Sequence, residues 1–154
     1  MKQFEYNVGV EWTGNGGAGT AGAKFGRDNE ISTAHKPTII GSAPTEFAGD
    51  GLGWAPEDLL VGAVSQCHML TYLFLCSRAG IVVDSYVDRA VGTLDVEGAT
   101  GGRFSGIALH PDVVISVGDT EAAEALHIAA SSACYIGNTL NCTVHVEGTV
   151  TMAS

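Results

Sequence analysis

The chain has 154 residues, 45% of them apolar, and carries a formal charge of −10 from 17 acidic and seven basic side chains. That length and apolar fraction predict a single domain over residues 1–154 with a core of its own. The acidic balance repels a phosphate backbone or an anionic bilayer surface, so the expected partners are neither nucleic acid nor membrane.

At the start of the chain, Phe4, Tyr6, Val8, Val10 and Trp12 alternate with Glu5, Asn7, Gly9 and Glu11. A period of two predicts a strand with one buried face. The first residues have neither a basic nor an apolar leader pattern, and the longest apolar run carries Ser65, Gln66, His68 and Thr71 inside it; the expectation is a soluble cytoplasmic protein. Gly14-Asn15-Gly16-Gly17 is hairpin-turn chemistry, which predicts a return strand over about 19–25 that ends at Gly26-Arg27-Asp28. Residues 29–53 read as surface loop, broken by turn clusters, with one short strand over 38–40.

A long helix is predicted from Pro56 to Gly80. Pro suits the first helical position, Glu57 and Asp58 complement the positive helix end, and Gly80 is a C-terminal stop. Leu59, Leu60, Ala63, Val64, Cys67, Leu70, Thr71, Phe74 and Leu75 keep an i, i+3, i+4 rhythm, which places Cys67 mid-stripe in the core. Beyond it, residues 81–97 read as one bulged strand and 103–117 as another, the His110-Pro111 step lying at a sheet edge. Asp119 is the expected N-cap of a second helix that runs to Ala133 with Ala122, Ala125, Leu126, Ala129 and Ala130 inward. Cys142, Val144 and Val146 share one face of a last strand. The order is that of an α+β fold with mostly antiparallel pairing.

The four cysteines have no CxxC and no short Cys/His spacing, which argues against structural zinc and leaves reversible redox as the cysteine chemistry to expect. A buried cysteine is by default a small hydrophobe, and Cys76 and Cys142 are read that way. Cys76 follows Cys67 by nine residues, half a turn round the helix, so the two cannot share a pocket within one chain. His68 diverges from its neighbour Cys67 by about 100° round the helix, which leaves a Cys-His hydrolase without a positioned base.

The run from Pro56 to Met69 nevertheless resembles the helix motif of the OsmC/Ohr family, the osmotically inducible and organic hydroperoxide resistance proteins. That motif opens with Pro-Glu and places a peroxide-reducing cysteine ten residues after the Glu, a spacing kept by Glu57 and Cys67. Cys134-Tyr135-Ile136-Gly137-Asn138 is similar to the family's second redox-cysteine segment, and Gly26-Arg27-Asp28, forty residues before Cys67, to its catalytic-arginine site. The resemblance spans about Arg27 to Val146, and the Cys-His-Met and Cys-Tyr-Ile-Gly-Asn wording is similar to a less-characterised OsmC-like branch.

The resemblance implies an OsmC-like fold with a long central helix, working as an intertwined homodimer without metal, flavin or other cofactor. It also implies a thiol peroxidase that reduces organic hydroperoxides to alcohols, in which Cys67, Cys134, Arg27 and Glu57 are the site residues. An unperturbed thiol of pKa about 8.5 is only a small fraction thiolate at neutral pH. In the implied scheme Arg27 therefore stabilises the Cys67 thiolate, held in position by Glu57, and Cys134 closes a disulfide on the Cys67 sulfenic acid. A lipoylated protein or a similar dithiol reduces that disulfide. Glu57 and Cys67 are separated by about 15 Å of helix rise, so the carboxylate is expected at the cysteine of a symmetry mate. The Cys67 pocket is expected to be apolar, with aromatic walls such as Trp54, Phe47 or Tyr135. The alternative function is an OsmC-like stress or ligand-binding module without peroxidase activity.

Overall fold

The computed structural model describes residues 1–22, 25–99 and 101–154. They form two compact units, Met1–Leu59 and Leu60–Ser154.

The first unit holds strands β1 (Gly9–Trp12), β2 (Asn29–Ser32) and β3 (Ile39–Gly41) in one antiparallel sheet of order β1-β2-β3. Val10 pairs with Ile31, and Ile31 with Ile39. Two expectations are corrected here. The opening strand starts only at Gly9 and is exposed on both faces, as are Phe4, Tyr6 and Val8 before it; strands of three and four residues are too short to bury a face between them. The return strand is β2, not 19–25, of which Ala23 and Lys24 lie outside the described residues. Asn15 Oδ1 accepts from the Gly17 and Gly19 N–H groups at 3.0 and 2.9 Å. Gly17, Gly19 and Gly22 all take positive φ. Asn15 thus anchors a turn over Gly17 and Gly19, and the Thr13 and Gly14 N–H groups donate to Asp28 O. Residues 29–53, expected as loop with one short strand, hold two strands, β2 and β3.

Helix α1 (Pro56–Arg78) begins and ends as its sequence dictates. The Ala55 N–H donates to Asp58 Oδ2 at 3.0 Å, the carboxylate reaching back over the first turn. At the other end Gly80 sits at φ +73°, Ile81 N–H donates to Cys76 O and Gly80 N–H to Ser77 O, the paired bonds of a Schellman stop. The face it buries differs from the expected stripe. Val64, His68, Tyr72 and Cys76 are the buried residues, Cys67 is half-buried, and Leu70 and Phe74 are 57% and 62% exposed. By length and apolarity α1 could cross a bilayer, but that row of four is built into a protein core.

In the second unit, β4 (Val82–Asp88), β7 (Pro111–Val117) and β9 (Thr149–Met152) form one sheet of order β4-β7-β9. A second has order β5-β6-β8, from β5 (Val91–Glu97), β6 (Gly101–Leu109) and β8 (Thr143–Val146). The pairs β6–β8 and β7–β9 are parallel, while β4–β7 and β5–β6 are antiparallel. The slip in alternation across 81–97 therefore marks mainly a change of sheet, with smaller register shifts inside β4 and β5. His110 divides 103–117 in the same way, so that Pro111 opens β7, a strand position that tolerates the missing N–H. The two crossings are tied together where the His110 N–H donates to Asp88 Oδ1 at 2.7 Å. Strand β9 is an addition to the expected order.

Helix α2 (Thr120–Ala133) starts as expected, with Asp119 Oδ2 accepting from the Ala122 N–H at 2.7 Å. Its buried face is Ala123, His127 and Ala130; of the residues expected inward Ala130 is buried and Leu126 packs against the core, while Ala122, Ala125 and Ala129 are exposed. One core cluster joins Tyr72 and Cys76 of α1 to Ala123 and Ala130 of α2 and to Val113, Ile115 and Val150. A second joins Val64 to Ile107 and Leu109, with Val61, Phe104 and Val144 packed round it. A Cβ on Gly92 would meet Val61 Cγ2 at 2.5 Å and Phe104 Cε1 at 2.6 Å, so this glycine permits the close approach of α1 to β5.

Candidate active site

Cys67 lies midway along α1, where the Thr71 hydroxyl donates to its carbonyl at 2.9 Å. Its side chain opens on a groove of about 570 Å³ that includes Leu70, Phe74, Ala133, Tyr135 and Ile136 in its walls. Because α1 is apolar on more than one face, Leu70 and Phe74 remain outside the core and supply the groove with hydrocarbon. Tyr135 is the aromatic wall that was expected. Trp54 and Phe47 belong to the first unit, where both are exposed.

Cys134 is the residue on which α2 ends, with φ −72° and ψ 105°. The chain then bends into a short 3-10 turn, Gly137–Thr139. The Gly137 N–H donates to Cys134 Sγ at 3.4 Å, and Asn138 Nδ2 donates to Ser132 O at 2.9 Å. The asparagine thus satisfies a carbonyl that the helix end leaves free, and the glycine brings a backbone N–H to the sulfur. Cys134 is 3% exposed. Burial pushes its thiol above the ordinary cysteine value, and the neighbouring Cys67 thiol adds to the shift. Cys67 thus lines the groove and Cys134 is a buried thiol close enough to it to shift its titration. All four cysteines are free thiols.

Arg27 and Glu57 lie in the first unit. The Arg27 guanidinium stacks over the Phe25 ring, 3.5 Å from its centroid, and donates to the Phe25 carbonyl. Asn29 Nδ2 donates to Arg27 O at 3.1 Å and fixes the backbone at that point. Glu57 is the second residue of α1. Its Oε2 is shielded from solvent and has no hydrogen-bond donor among the described residues, an unpaired carboxylate oxygen that calls for a cation or a proton.

Sequence reasoning missed a buried group of side chains, one of which shares a cavity with Cys134. His68 Nε2 lies 3.0 Å from His127 Nδ1, with the rings nearly parallel and 5.3 Å apart. Tyr72 stacks on His127 at 4.0 Å between centroids. Burial holds both imidazoles below their usual pKa, His127 at about 4, which repulsion from His68 reinforces. Both rings are therefore neutral near pH 7. The available signal was the row 64, 68, 72, 76 at a spacing of four, which competes with the row through Cys67 and lost only because histidine and tyrosine count as polar.

Residues 49–148 match the family model of the OsmC-like proteins. The uncharacterised protein YmaD of Bacillus subtilis is 28% identical over 130 residues, which cover 79% of this chain and 85% of that protein. The solved structure of an OsmC-like protein of unknown function from Vibrio cholerae superposes with a TM-score of 0.85 at 25% identity, over 95% of this chain and 99% of that one. An organic hydroperoxide resistance protein, OsmC, from Legionella pneumophila superposes with a TM-score of 0.67 at 21% identity, over 97% of this chain and 99% of that one, a likeness of fold. With the family model matched over most of its length and a shared α+β fold, the chain belongs to the OsmC family.

Proposed function

We propose that the protein is a thiol peroxidase that reduces organic hydroperoxides to alcohols. The observation that carries this reading is a half-buried thiol on an apolar groove with a second, buried thiol as its neighbour. The Cys67 thiolate attacks the terminal peroxide oxygen, the O–O bond breaks, and the alkoxide leaves as alcohol after taking up a proton. Cys67 is then a sulfenic acid. Cys134 displaces its oxygen as water, and a disulfide forms between the two. An external dithiol such as a lipoylated protein returns both sulfurs to thiols. The burial of Cys134 suits a thiol that reacts only with a sulfur already beside it.

The groove suits a hydrocarbon tail, since its walls are mostly aliphatic and aromatic. A bulky alkyl hydroperoxide is expected to exceed hydrogen peroxide in kcat/KM by on the order of tenfold or more, because each additional methylene placed in an apolar pocket contributes about 0.8 kcal/mol. Titrating the reduced protein with each peroxide and counting the thiols lost per alcohol formed tests both activity and preference. Equal rates would remove the apolar-groove argument. No thiol loss with either peroxide would leave the ligand-binding module as the reading.

The working unit in this proposal is a homodimer. Support comes from Phe4, Tyr6, Val8 and Val10, at 63–89% exposed, an apolar row that a second copy would cover, and from the unpaired Glu57 oxygen. Arg27 and Glu57 of one subunit would serve Cys67 of the other, the guanidinium favouring the thiolate and donating to the departing oxygen. Inactive Cys67→Ser and Arg27→Ala chains, mixed under conditions that exchange subunits, are then expected to recover about a quarter of wild-type activity, since half the dimers are mixed and each has one intact site. No recovery after verified exchange would assign Arg27 to its own chain's cysteine.

A further inference from the structure

A second cavity, of about 150 Å³, has His68, Ser131, Cys134, Asn138, Val64 and Val144 in its walls. It has room for several water molecules and polar groups to hold them. His68 is 1% exposed and His127 7%. His68 Nε2 lies against His127 Nδ1, and in the tautomer in which His68 donates there its Nδ1 is the nitrogen free to take a proton. The peroxidase scheme gives these groups nothing to do, yet it contains a step that needs a base. Cys134 must lose its proton to attack Cys67, and its burial disfavours the thiolate by more than the Gly137 N–H favours it.

We propose that His68, braced by His127, accepts the Cys134 proton through water in this cavity when Cys134 attacks the Cys67 sulfenic acid. The inference rests on the peroxidase reading and adds residues to it. The proton leaves the Cys134 sulfur through cavity water for His68 Nδ1. The resulting thiolate forms the S–S bond with Cys67 as the Cys67 S–O bond breaks. The departing oxygen recovers a proton and leaves as water, so that Cys134 is oxidised and the sulfenic sulfur reduced. A neutral imidazole is the form needed, and burial keeps both rings in it. The groups that face His68 are His127 from α2, Tyr72 from its own helix and Asp88 from β4, besides Cys134; the Asp88 charge moderates the lowering of both histidines without reversing it. His127 fixes the His68 ring by stacking and by the hydrogen bond between them.

The test follows the sulfenic acid of the full-length protein after one equivalent of alkyl hydroperoxide, with a sulfenic-acid trap and mass spectrometry, from pH 5 to 9. In the wild type the rate of disulfide closure is expected to be flat from pH 7 to 9 and to fall only at lower pH, as His68 becomes charged. In His68→Gln, closure is expected to slow by about 10²-fold at pH 7 and to climb about tenfold per pH unit, hydroxide replacing the imidazole. A wild-type rate that itself climbs tenfold per unit across that range would overturn the proposal, and this measurement needs no variant to fold. So would a folded His68→Gln with the wild-type rate and profile. If no sulfenic acid forms on Cys67 in the wild type, the peroxidase reading is what has failed.

Discussion

Replacing Cys67 by serine is expected to lower peroxide consumption on the order of a thousandfold or more, to the background of the remaining thiols, because the attacking nucleophile itself is removed. Cys134→Ser is expected to behave differently. It reduces one equivalent of hydroperoxide and stops, with Cys67 as a sulfenic acid that excess peroxide carries on to the sulfinic and sulfonic states. Peptide mapping of the oxidised wild type is expected to recover Cys67 joined to Cys134. The other two cysteines are poorly placed to compete. Cys76 is fully buried on the opposite side of α1, within the core round Tyr72, and burial pushes its thiol up. Cys142 packs against the cluster of Val64, Ile107 and Leu109. Recovery of Cys67 paired with Cys76 or Cys142, or full activity in Cys67→Ser, would sink the assignment of the two redox cysteines.

The second large effect expected is on stability. His127 titrates at about 4 in the folded protein against 6.5 when unfolded, so between those values the unfolded chain binds a proton that the native one refuses. Stability is therefore complete above about pH 6.5 and is lost as the pH falls towards 4, by up to about 3 kcal/mol for this one group. His68 is shifted in the same direction for the same reason and steepens the loss. Denaturant unfolding at pH 7.5, 5.5 and 4.5 measures it, and His127→Gln should flatten the limb because an amide of similar size does not titrate there. The Asp50 carboxyl, lowered by backbone N–H donors, acts only at lower pH. Stability that is constant from pH 7 to 4.5, or that falls equally in His127→Gln, would rule out the buried pair as its source.

The ends of both helices were legible in the sequence because capping is local: Pro56, Asp58, Gly80 and Asp119 act on groups within a few residues of themselves. The motif round Cys67 and the segment from Cys134 to Asn138 were legible as wording, and their spacing carried the family. Which face of α1 goes inward was not legible. The helix is apolar nearly all round, so hydrophobic period could not choose between the row through Cys67 and the row through His68. Tertiary packing chose the second, because two neutral imidazoles and the Tyr72 ring stack on one another between the helices. That choice is also what leaves Cys67 half-buried on a groove instead of sealed in the core. In the same way a break in alternation at 88–91 fixes where a strand changes course but not to which sheet it goes, and β4 and β5 part there because β7 claims the first and β6 the second. Caps and motifs are decided by neighbours in sequence, whereas burial of a face and membership of a sheet are decided by residues that only the fold brings near.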